Sequence, residues 1–257
     1  MDLGLQGKVA LVTGAGSQIG FGKAIALTLA TEGCDVVVND VSLDGAKQTA
    51  AEVVALGRRA SAIRADVASS AEVNEMAKAA LAEFGRIDIL VNNAGVGLGG
   101  GPFVQTDEAA WDRLIGINFK GVLNCSKAVL PQMLARQSGK IISIASGLGK
   151  SGGPNSAVYA ATKGAVIAFT KSLAAEVAAH GINVNSVAPG ISDTNFLRSP
   201  DGTLRDAARL EAVRATIPLG RTTRPQDIAN MVAYLASDLA ADIVGQTFSV
   251  EGGRFMM

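Results

Sequence analysis

Short apolar stretches alternate along the chain with longer stretches that carry apolar residues at helical spacing. The short stretches predict seven strands: Lys8–Thr13, Asp35–Val38, Ala60–Arg64, Ile87–Val91, Lys140–Ile144, Ile182–Val187 and Thr247–Val250. The longer ones predict helices: Lys23–Glu32, Leu43–Leu56, Ala71–Phe84, one long helix within Asp107–Arg136, Ser156–His180 and Pro225–Ser237.

This alternation predicts the fold class. Strands that are apolar throughout, rather than at every second residue, are typical of a parallel sheet covered by helices on both faces. Right-handed crossovers then give an α/β, doubly wound sheet. Gly181 follows the Ser156–His180 helix, where a left-handed cap favours glycine. The stretch from Gly190 to Pro218 lacks a clear pattern, and long irregular stretches in a compact domain often cover a site.

Composition narrows the class of partner. Of the 257 residues, 48% are hydrophobic and 18% charged, which suits a globular core. Lys plus Arg number 23 and Asp plus Glu 23, so neither nucleic acid nor an anionic membrane is expected as a partner. The two cysteines and the one histidine have no metal-ligand spacing, and no metal or disulfide is expected. Without a signal peptide or membrane-length apolar run, the sequence predicts a cytoplasmic protein.

A glycine-rich turn follows the first predicted strand. It runs from Thr13 to Gly22 and opens into a helix. Glycines allow the backbone to approach a pyrophosphate, and the helix N-terminus supplies N–H donors and a positive dipole end. The candidate contacts in the turn are Gly14, Ser17, Gln18, Gly20 and Phe21. A tight strand–helix turn without a ligand would need glycines as well, so the turn alone does not decide.

Asp40 ends the second predicted strand and indicates which dinucleotide would bind. A carboxylate there accepts both ribose hydroxyls of adenosine and repels a 2′-phosphate. The glycine turn and the residues just after Asp40 hold no Arg or Lys, and Lys47 is the nearest basic residue in that stretch. The sequence therefore favours NAD over NADP. The alternative for Asp40 is an acid that starts a turn or helix.

Ser146, Tyr159 and Lys163 form a candidate catalytic group. Tyr159 and Lys163 are four residues apart in a predicted helix, so their side chains share a face. An ammonium beside a phenol favours the phenolate, and the spacing predicts that Lys163 lowers the pKa of Tyr159 enough for acid–base work. Ser146 ends the fifth strand, where open α/β sheets place ligand contacts. Tyr and Lys at this spacing also occur in helices without any such role.

Taken together in chain order, these residues resemble the short-chain dehydrogenase/reductase family over nearly the whole sequence. The matching pieces are the Thr13–Gly22 turn, Asp66-Val67, Asn92-Asn93-Ala94-Gly95, Asn118, Ser146, Tyr159–Lys163, Pro189-Gly190 with Thr194, and Gly252-Gly253. The resemblance implies a single Rossmann-type domain over residues 1–257 with a seven-stranded parallel sheet, a substrate-covering segment at about 190–218, and a homotetramer. The subgroup resembled prefers NAD and includes secondary-alcohol dehydrogenases and 3-oxoacyl reductases.

The resemblance also implies residue roles. The catalytic residues would be Asn118, Ser146, Tyr159 and Lys163, with Asn118 holding a water in a proton relay and Lys163 also binding the nicotinamide ribose. Asp66 and Val67 would flank the adenine. The remaining cofactor contacts would be Asn92, Ala94 and Gly95 on the adenine-ribose side, and Pro189, Gly190, Ile191 and Thr194 towards the carboxamide and phosphates.

The glycine turn departs from the family spacing Gly-x3-Gly-x-Gly. Counting back from Gly33 at the end of the first helix makes Gly22 the last glycine of the motif and Gly20 the middle one. Five residues then separate Gly14 from Gly20, so the turn is two residues longer than usual, with Ser17 and Gln18 in the added stretch.

Three functions are compared for this sequence. Segments expected to line the substrate carry Leu98, Phe103, Leu148, Phe196 and Leu197, which favours a mostly apolar ketone or secondary alcohol, cyclic ones included. The second reading is a 3-oxoacyl-(acyl-carrier-protein or CoA) reductase; relatives acting on carrier protein tend to carry Arg at the positions of Pro131 and Ala175. The third, a dinucleotide-sensing regulator, is disfavoured by the intact Tyr/Lys pair. Lys150 and Arg198 flank the expected substrate position and are candidates for binding an acid group; the alternative for both is the more common one, a solvated surface charge.

Overall fold

Seven parallel strands form one sheet in the computed structural model, which describes residues 2–97, 101–194 and 207–256. The strands are β1 (Val9–Val12), β2 (Asp35–Asp40), β3 (Ala60–Arg64), β4 (Ile89–Asn92), β5 (Gly139–Ile144), β6 (Ile182–Pro189) and β7 (Thr247–Val250). Their order is β3-β2-β1-β4-β5-β6-β7, and each neighbouring pair is parallel. The predicted α/β, doubly wound parallel sheet of seven strands is confirmed.

Helices cover both faces of the sheet. They are α1 (Phe21–Thr31), α2 (Leu43–Ala55), α3 (Ser70–Phe84), α4 (Glu108–Ile115), α5 (Gly121–Arg136), α6 (Gly147–Ser151), α7 (Ala157–Val177), α8 (Ala207–Arg214) and α9 (Pro225–Ala236). Successive strand residues point to opposite faces. Ala10 and Val12 therefore pack with α1, α2 and α9, whereas Val9 and Leu11 pack with α3, α5 and α7. This two-sided burial explains why the strands are apolar throughout.

The long helix predicted within Asp107–Arg136 is not a uniform α-helix. A π-helical segment, Gly116–Lys120, separates α4 from α5 and contains Asn118. Glycines at 116 and 121 frame this segment and have low α-helical propensity, so the widened turn costs less there. A Cβ atom on Gly121 would lie 2.7 Å from Val67 Cγ2, so the bare backbone lets α5 start directly against the loop after β3. Such π-turns are frequent at functional sites.

Two helices escaped prediction. The five-residue α6 is too short and too rich in glycine to show a helical pattern; the Oγ of Ser146 caps it by accepting a hydrogen bond from Leu148 N. Helix α8 lies in the stretch 190–218 that was predicted to be irregular, and its sequence has almost no apolar periodicity. Gly181 caps the end of the α7 region with a φ of 70°, as predicted.

The strand order places the candidate site. Strands β2 and β3 lie on one side of β1, and β4 to β7 lie on the other, so the order of strands reverses between β1 and β4. Open α/β sheets bind ligands outside the carboxyl ends of the strands at such a switch point. The glycine turn follows β1, Asp40 ends β2, and Ser146 follows β5. All three therefore lie along one edge of the sheet.

Candidate active site

Ser146 and Tyr159 meet at the carboxyl end of β5. Ser146 is 9% exposed and caps α6, and Tyr159 lies in the first turn of α7. A side-chain hydrogen bond joins their hydroxyl groups. Two hydroxyls in contact at a strand end can together hold one carbonyl oxygen, Ser146 as a donor and Tyr159 as a proton source.

Lys163 lies one turn of α7 beyond Tyr159. It is 4% exposed, and its Nζ donates a hydrogen bond of 2.8 Å to the carbonyl oxygen of Ile144, two residues before Ser146. Burial lowers the pKa of Lys163 to about 8. The hydrogen bond directs the buried amine towards the end of β5.

The predicted effect of Lys163 on Tyr159 is wrong for this structure. Burial raises the pKa of the Tyr159 phenol above its ordinary value, and the hydrogen bond with Ser146 opposes that rise without overcoming it. The physical reason is that desolvation in the buried site disfavours the charged phenolate. Tyr159 is therefore protonated near neutral pH and is set up as a proton donor.

Asn118 ties the loop after β4 to the helical layer. Its Oδ1 accepts a hydrogen bond from Val96 N at 2.8 Å, and its Nδ2 donates to Val96 O at 2.9 Å and to Thr162 Oγ1 at 3.4 Å. A Cβ on Gly95 would lie 3.2 Å from Asn118 Oδ1 and 3.5 Å from Lys163 Nζ. Asn118, Gly95 and Lys163 thus converge as the motif predicts, although the side chain is largely used on Val96. Its water-holding role stays a prediction.

The glycine turn packs tightly enough to hold a pyrophosphate close to the backbone. Gly14 has a φ of 64°, and a Cβ there would lie 2.7 Å from the Cα of Ala94. A Cβ on Gly22 would overlap Gly14 O and would lie 2.6 Å from Asn93 Nδ2. Gly22 is therefore the closely packed third glycine, in agreement with the spacing argument. The first amides of α1, from Phe21 onwards, have no acceptor within the helix and face the end of this turn.

Asp40 contacts the glycine turn directly. Its Oδ2 accepts a hydrogen bond of 2.8 Å from Gly16 N, and its Oδ1 accepts one of 3.0 Å from Ser42 N. Each carboxylate oxygen keeps a lone pair, so acceptance from ribose hydroxyls remains available. The donors and shape fit a dinucleotide: a bare-backbone turn, a helix N-terminus and a carboxylate lie on one edge of the sheet.

Comparison with known proteins agrees with this geometry. Residues 14–254 match a family model described as enoyl-(acyl carrier protein) reductase. A 3-oxoacyl-(acyl-carrier-protein) reductase of Staphylococcus epidermidis is 45% identical over 250 residues, which cover 97% of this chain and 99% of the relative. A 3-oxoacyl-(acyl-carrier-protein) reductase of Synechocystis is 42% identical over 254 residues, 98% of each chain.

Solved structures agree as well. A 3-ketoacyl-(acyl-carrier-protein) reductase of Brucella melitensis, complexed with NADH, superposes with a TM-score of 0.90 at 36% identity, covering 98% of this chain and all of that one. A putative short-chain alcohol dehydrogenase of Sinorhizobium meliloti superposes with a TM-score of 0.90 at 34% identity, covering 97% of this chain and 96% of that one. The chain belongs to the short-chain dehydrogenase/reductase family. It is thus an oxidoreductase by family, with the Rossmann-type fold expected of one.

One residue of the family motif after β4 plays a different part from the one predicted. The Asn92 side chain is 3% exposed and donates to Ser126 Oγ and Ser143 Oγ inside the sheet–helix layer, so it does not face the ribose side. Its neighbour Asn93, which was not among the predicted site residues, donates to the carbonyl oxygens of Thr13 and Gly14. Successive side chains along a strand point to opposite sides, so the sequence could have predicted that only one of these two asparagines faces the glycine turn.

The other predicted cofactor contacts lie along the same edge. Asp66 Oδ1 accepts from Ala68 N, and Val67 is 5% exposed. Gly190 follows β6, and a Cβ on it would lie 2.7 Å from Glu251 Cβ. Ile191 O accepts from Thr223 N, and Thr194 is 6% exposed. Near them the Ser192 hydroxyl is buried and has no hydrogen-bond partner among the residues that the structure describes.

Several residues were expected to lie beside the substrate. Lys150 Nζ donates to Thr247 O and Ser249 Oγ, so it anchors α6 to β7, which is neither of the two roles considered for it, a substrate contact or a solvated surface charge. Phe103 stacks on Trp111 with centroids 5.4 Å apart. The side chain of Leu148 lies in the described part of α6. Leu98, Phe196, Leu197 and Arg198 lie outside the described residues.

A cavity of about 290 Å³ lies at the opposite edge of the sheet, near the amino ends of β4, β5 and β6. Lys8, Asp88, Lys140 and Asn183 are among its lining residues. The catalytic side chains do not line it, and the family's chemistry belongs to the other edge. Within the described ranges, no helix is both long and apolar enough to cross a membrane, and His, Cys, Asp and Glu form no cluster suited to a metal ion.

Proposed function

We propose that this protein is an NAD(H)-dependent reductase of 3-oxoacyl thioesters, which converts a 3-oxo group to a 3-hydroxy group. The observation that carries the proposal is the assembled Ser146–Tyr159–Lys163 group in a chain that aligns end to end with 3-oxoacyl-(acyl-carrier-protein) reductases at 42–45% identity. This assignment favours the second reading from the sequence over the secondary-alcohol dehydrogenase reading that was placed first.

Each catalytic residue has a chemical task in carbonyl reduction. The hydride for the carbonyl carbon would come from NADH when that cofactor is bound. Ser146 donates a hydrogen bond to the carbonyl oxygen, and Tyr159 gives that oxygen its proton as negative charge develops there. Lys163 stabilises the phenolate that remains and binds the nicotinamide ribose. Asn118 keeps the loop from Asn93 to Val96 against Lys163 and holds the water that returns a proton.

The choice of NAD rests on Asp40. Its carboxylate lies beside the glycine turn, where it accepts hydrogen bonds from ribose hydroxyls and repels a 2′-phosphate. The Brucella melitensis relative was solved with NADH, which supports the same cofactor here. The remaining cofactor contacts are those predicted from the sequence, with Asn93 in place of the Asn92 side chain.

A second candidate is oxidation of a secondary alcohol that carries no acyl carrier. Two observations favour it: Pro131 and Ala175, where carrier-protein reductases tend to carry Arg, are both exposed and uncharged, and the Sinorhizobium meliloti structure bears an alcohol dehydrogenase name. An acyl-CoA substrate would reconcile the family similarity with the missing arginines.

Substrate screening separates these functions. Purified protein is assayed at 340 nm with NADH and acetoacetyl-CoA, with NADH and a 3-oxoacyl carrier protein, and with NAD and a panel of secondary alcohols. The proposal expects the highest kcat/KM with a thioester. Turnover of simple alcohols at a higher kcat/KM than any thioester would support the second candidate instead.

A further inference from the structure

The lengthened glycine turn is held from outside by a chain of polar contacts that ends at Asp40. Gln18, in the two added residues, donates from Nε2 to Gly16 O at 2.9 Å and to Gly45 O at 3.4 Å. Gln18 Oε1 accepts from Lys23 Nζ at 2.7 Å, and the same Nζ contacts Glu52 Oε1 at 2.7 Å. At the other end, Gly16 N donates to Asp40 Oδ2.

The sequence places no Arg or Lys within the glycine turn, but the fold brings one to it. A cation does lie beside the glycine turn, because Lys23 reaches back from α1 to Gln18. Its side chain is 17% exposed, and that of Glu52 is 39% exposed. The ion pair with Glu52 neutralises Lys23 and holds it towards α2, so Asp40 remains the charge that meets the ribose.

Close packing couples the position of Gly16 to the orientation of the Asp40 carboxylate. A Cβ on Gly16 would lie 2.8 Å from Asp40 Cγ, and a Cβ on Gly45 would lie 2.5 Å from Gly16 O. The turn, the carboxylate and the start of α2 are therefore in direct contact, and a shift of Gly16 moves the donor that orients Asp40. Gln18 bridges the two sides, since its amide bonds to the carbonyl oxygens of both Gly16 and Gly45.

We infer that Gln18 is a positioning residue for Asp40, and that Lys23 and Glu52 support it, so that these three side chains help to set the preference for NAD over NADP. Gln18 fixes Gly16 by its carbonyl, and the Gly16 amide fixes one carboxylate oxygen of Asp40. The other oxygen is fixed by Ser42 N. A carboxylate held at both oxygens presents its free lone pairs in one orientation, which favours bidentate acceptance from a ribose diol. The inference rests on the proposed use of NAD.

The test measures cofactor binding without any substrate. Dissociation constants for NADH and NADPH are determined by calorimetry on wild type, Gln18→Leu and Glu52→Gln, with Gln48→Leu and Glu176→Gln as controls. Gln48 is exposed on α2 and Glu176 is exposed on α7, so each control repeats one of the two changes away from the turn. Thermal unfolding of each variant checks that it is folded.

The inference expects Gln18→Leu to weaken NADH binding about tenfold and to leave NADPH binding unchanged or stronger, as loss of one well-placed charge-assisted contact would do. Glu52→Gln is also expected to reduce the preference for NADH over NADPH, because it releases the Lys23 cation from its ion pair. Equal weakening of both cofactors, or no change in either, would overturn the inference, since a purely structural role has no cofactor preference. Wild type that fails to bind NADH at all would defeat the proposed function itself, and with it the inference.

Discussion

The Nζ atom of Lys163 lies 2.8 Å from the carbonyl oxygen of Ile144, in a position from which water is almost wholly excluded. One backbone acceptor replaces the several water contacts that an exposed ammonium would have. The lowered pKa of about 8 is the consequence of this desolvation. The protein therefore keeps a buried amine that has one hydrogen-bond acceptor among the described residues, and this lowers the free energy of unfolding.

Replacing this amine by an apolar group of similar length should stabilise the protein and abolish its activity. The change in pKa from 10.5 to about 8 corresponds to about 3 kcal/mol against the charged form. We expect Lys163→Met to raise the free energy of unfolding at pH 7 by about 2 kcal/mol, part of the gain being lost with the Ile144 hydrogen bond. Denaturant unfolding checks this, with Lys171→Met, an exposed change on the same helix, as the control.

The pH dependence of that difference follows from the direction of the shift. The folded pKa lies below the unfolded one, so the unfolded chain binds more protons between about pH 8 and 10.5. The stability of wild type relative to Lys163→Met should therefore rise through that window, and the advantage of the variant should vanish near its upper end. A difference that stays constant from pH 7 to 10.5 would mean that the buried amine is not the cause.

The acid–base assignment predicts a selective kinetic loss for Tyr159→Phe. The variant keeps the ring and removes the proton that Tyr159 gives to the carbonyl oxygen. Turnover should fall about a hundredfold or more while NADH binding stays near that of wild type. The only other tyrosine, Tyr234 on α9, supplies the control Tyr234→Phe, which should retain full activity. Tyr159→Phe with wild-type kcat would remove Tyr159 from the mechanism.

Close backbone packing predicts that Gly22 tolerates no side chain. A Cβ there would overlap Gly14 O and crowd Asn93 Nδ2, so either the turn or the start of α1 must move. We expect Gly22→Ala to cost about 2 kcal/mol of stability or more and to weaken NADH binding at least tenfold. Gly101→Ala is the control, because no described atom lies within 4 Å of the position that its Cβ would take. Thermal unfolding and calorimetry distinguish the two.

The family resemblance predicts a homotetramer. Ala- and Leu-rich faces of the regions 107–136 and 156–180 would pack against symmetry mates, with the segment 245–253 at a second interface. The exposed apolar side chain of Ile115 lies in the first of these regions and is 45% exposed in the single chain. Sedimentation equilibrium should give about four times the 26.1 kDa chain mass. A monomer at micromolar concentration would reject the assembly.

Periodicity and spacing predicted the features that depend on burial and on chain direction. Seven apolar runs became seven parallel strands because each is covered on both faces, and counting back from the end of the first helix identified Gly22 as the tightly packed glycine. Ser146, Tyr159 and Lys163 came together because a strand end and an i, i+4 pair on a helix leave little freedom. These relations are local or are set by sheet topology, and a sequence carries both.

The rest depended on contacts between distant residues. The sign of the pKa shift at Tyr159 was wrong because desolvation is a property of the packed site and not of the Tyr/Lys spacing. The sequence left open whether Lys150 contacts a substrate acid or solvent, because its actual partners lie on β7, about a hundred residues along the chain. The side chain of Asn93, and not that of Asn92, reaches the glycine turn. Which of the two side chains faces the turn depends on where β4 ends, and it ends at Asn92. The link from Lys23 to Glu52 likewise joins two helices.

The negative charge of Asp40 predicts which dinucleotide the protein prefers. Charge-assisted hydrogen bonds to the ribose are worth roughly 1.5–3 kcal/mol, and a 2′-phosphate at the same place would set two anions together. Wild type should prefer NADH to NADPH by about a hundredfold or more in kcat/KM. Asp40→Ala combined with Val41→Arg removes the repulsion and adds a cation at an exposed position, so the preference should narrow or reverse. The control Asp44→Ala removes an exposed acid from the first turn of α2 and should leave the ratio unchanged. Steady-state kinetics with both cofactors at a fixed substrate concentration decide the matter: equal kcat/KM for NADH and NADPH in wild type would mean that Asp40 does not control the choice.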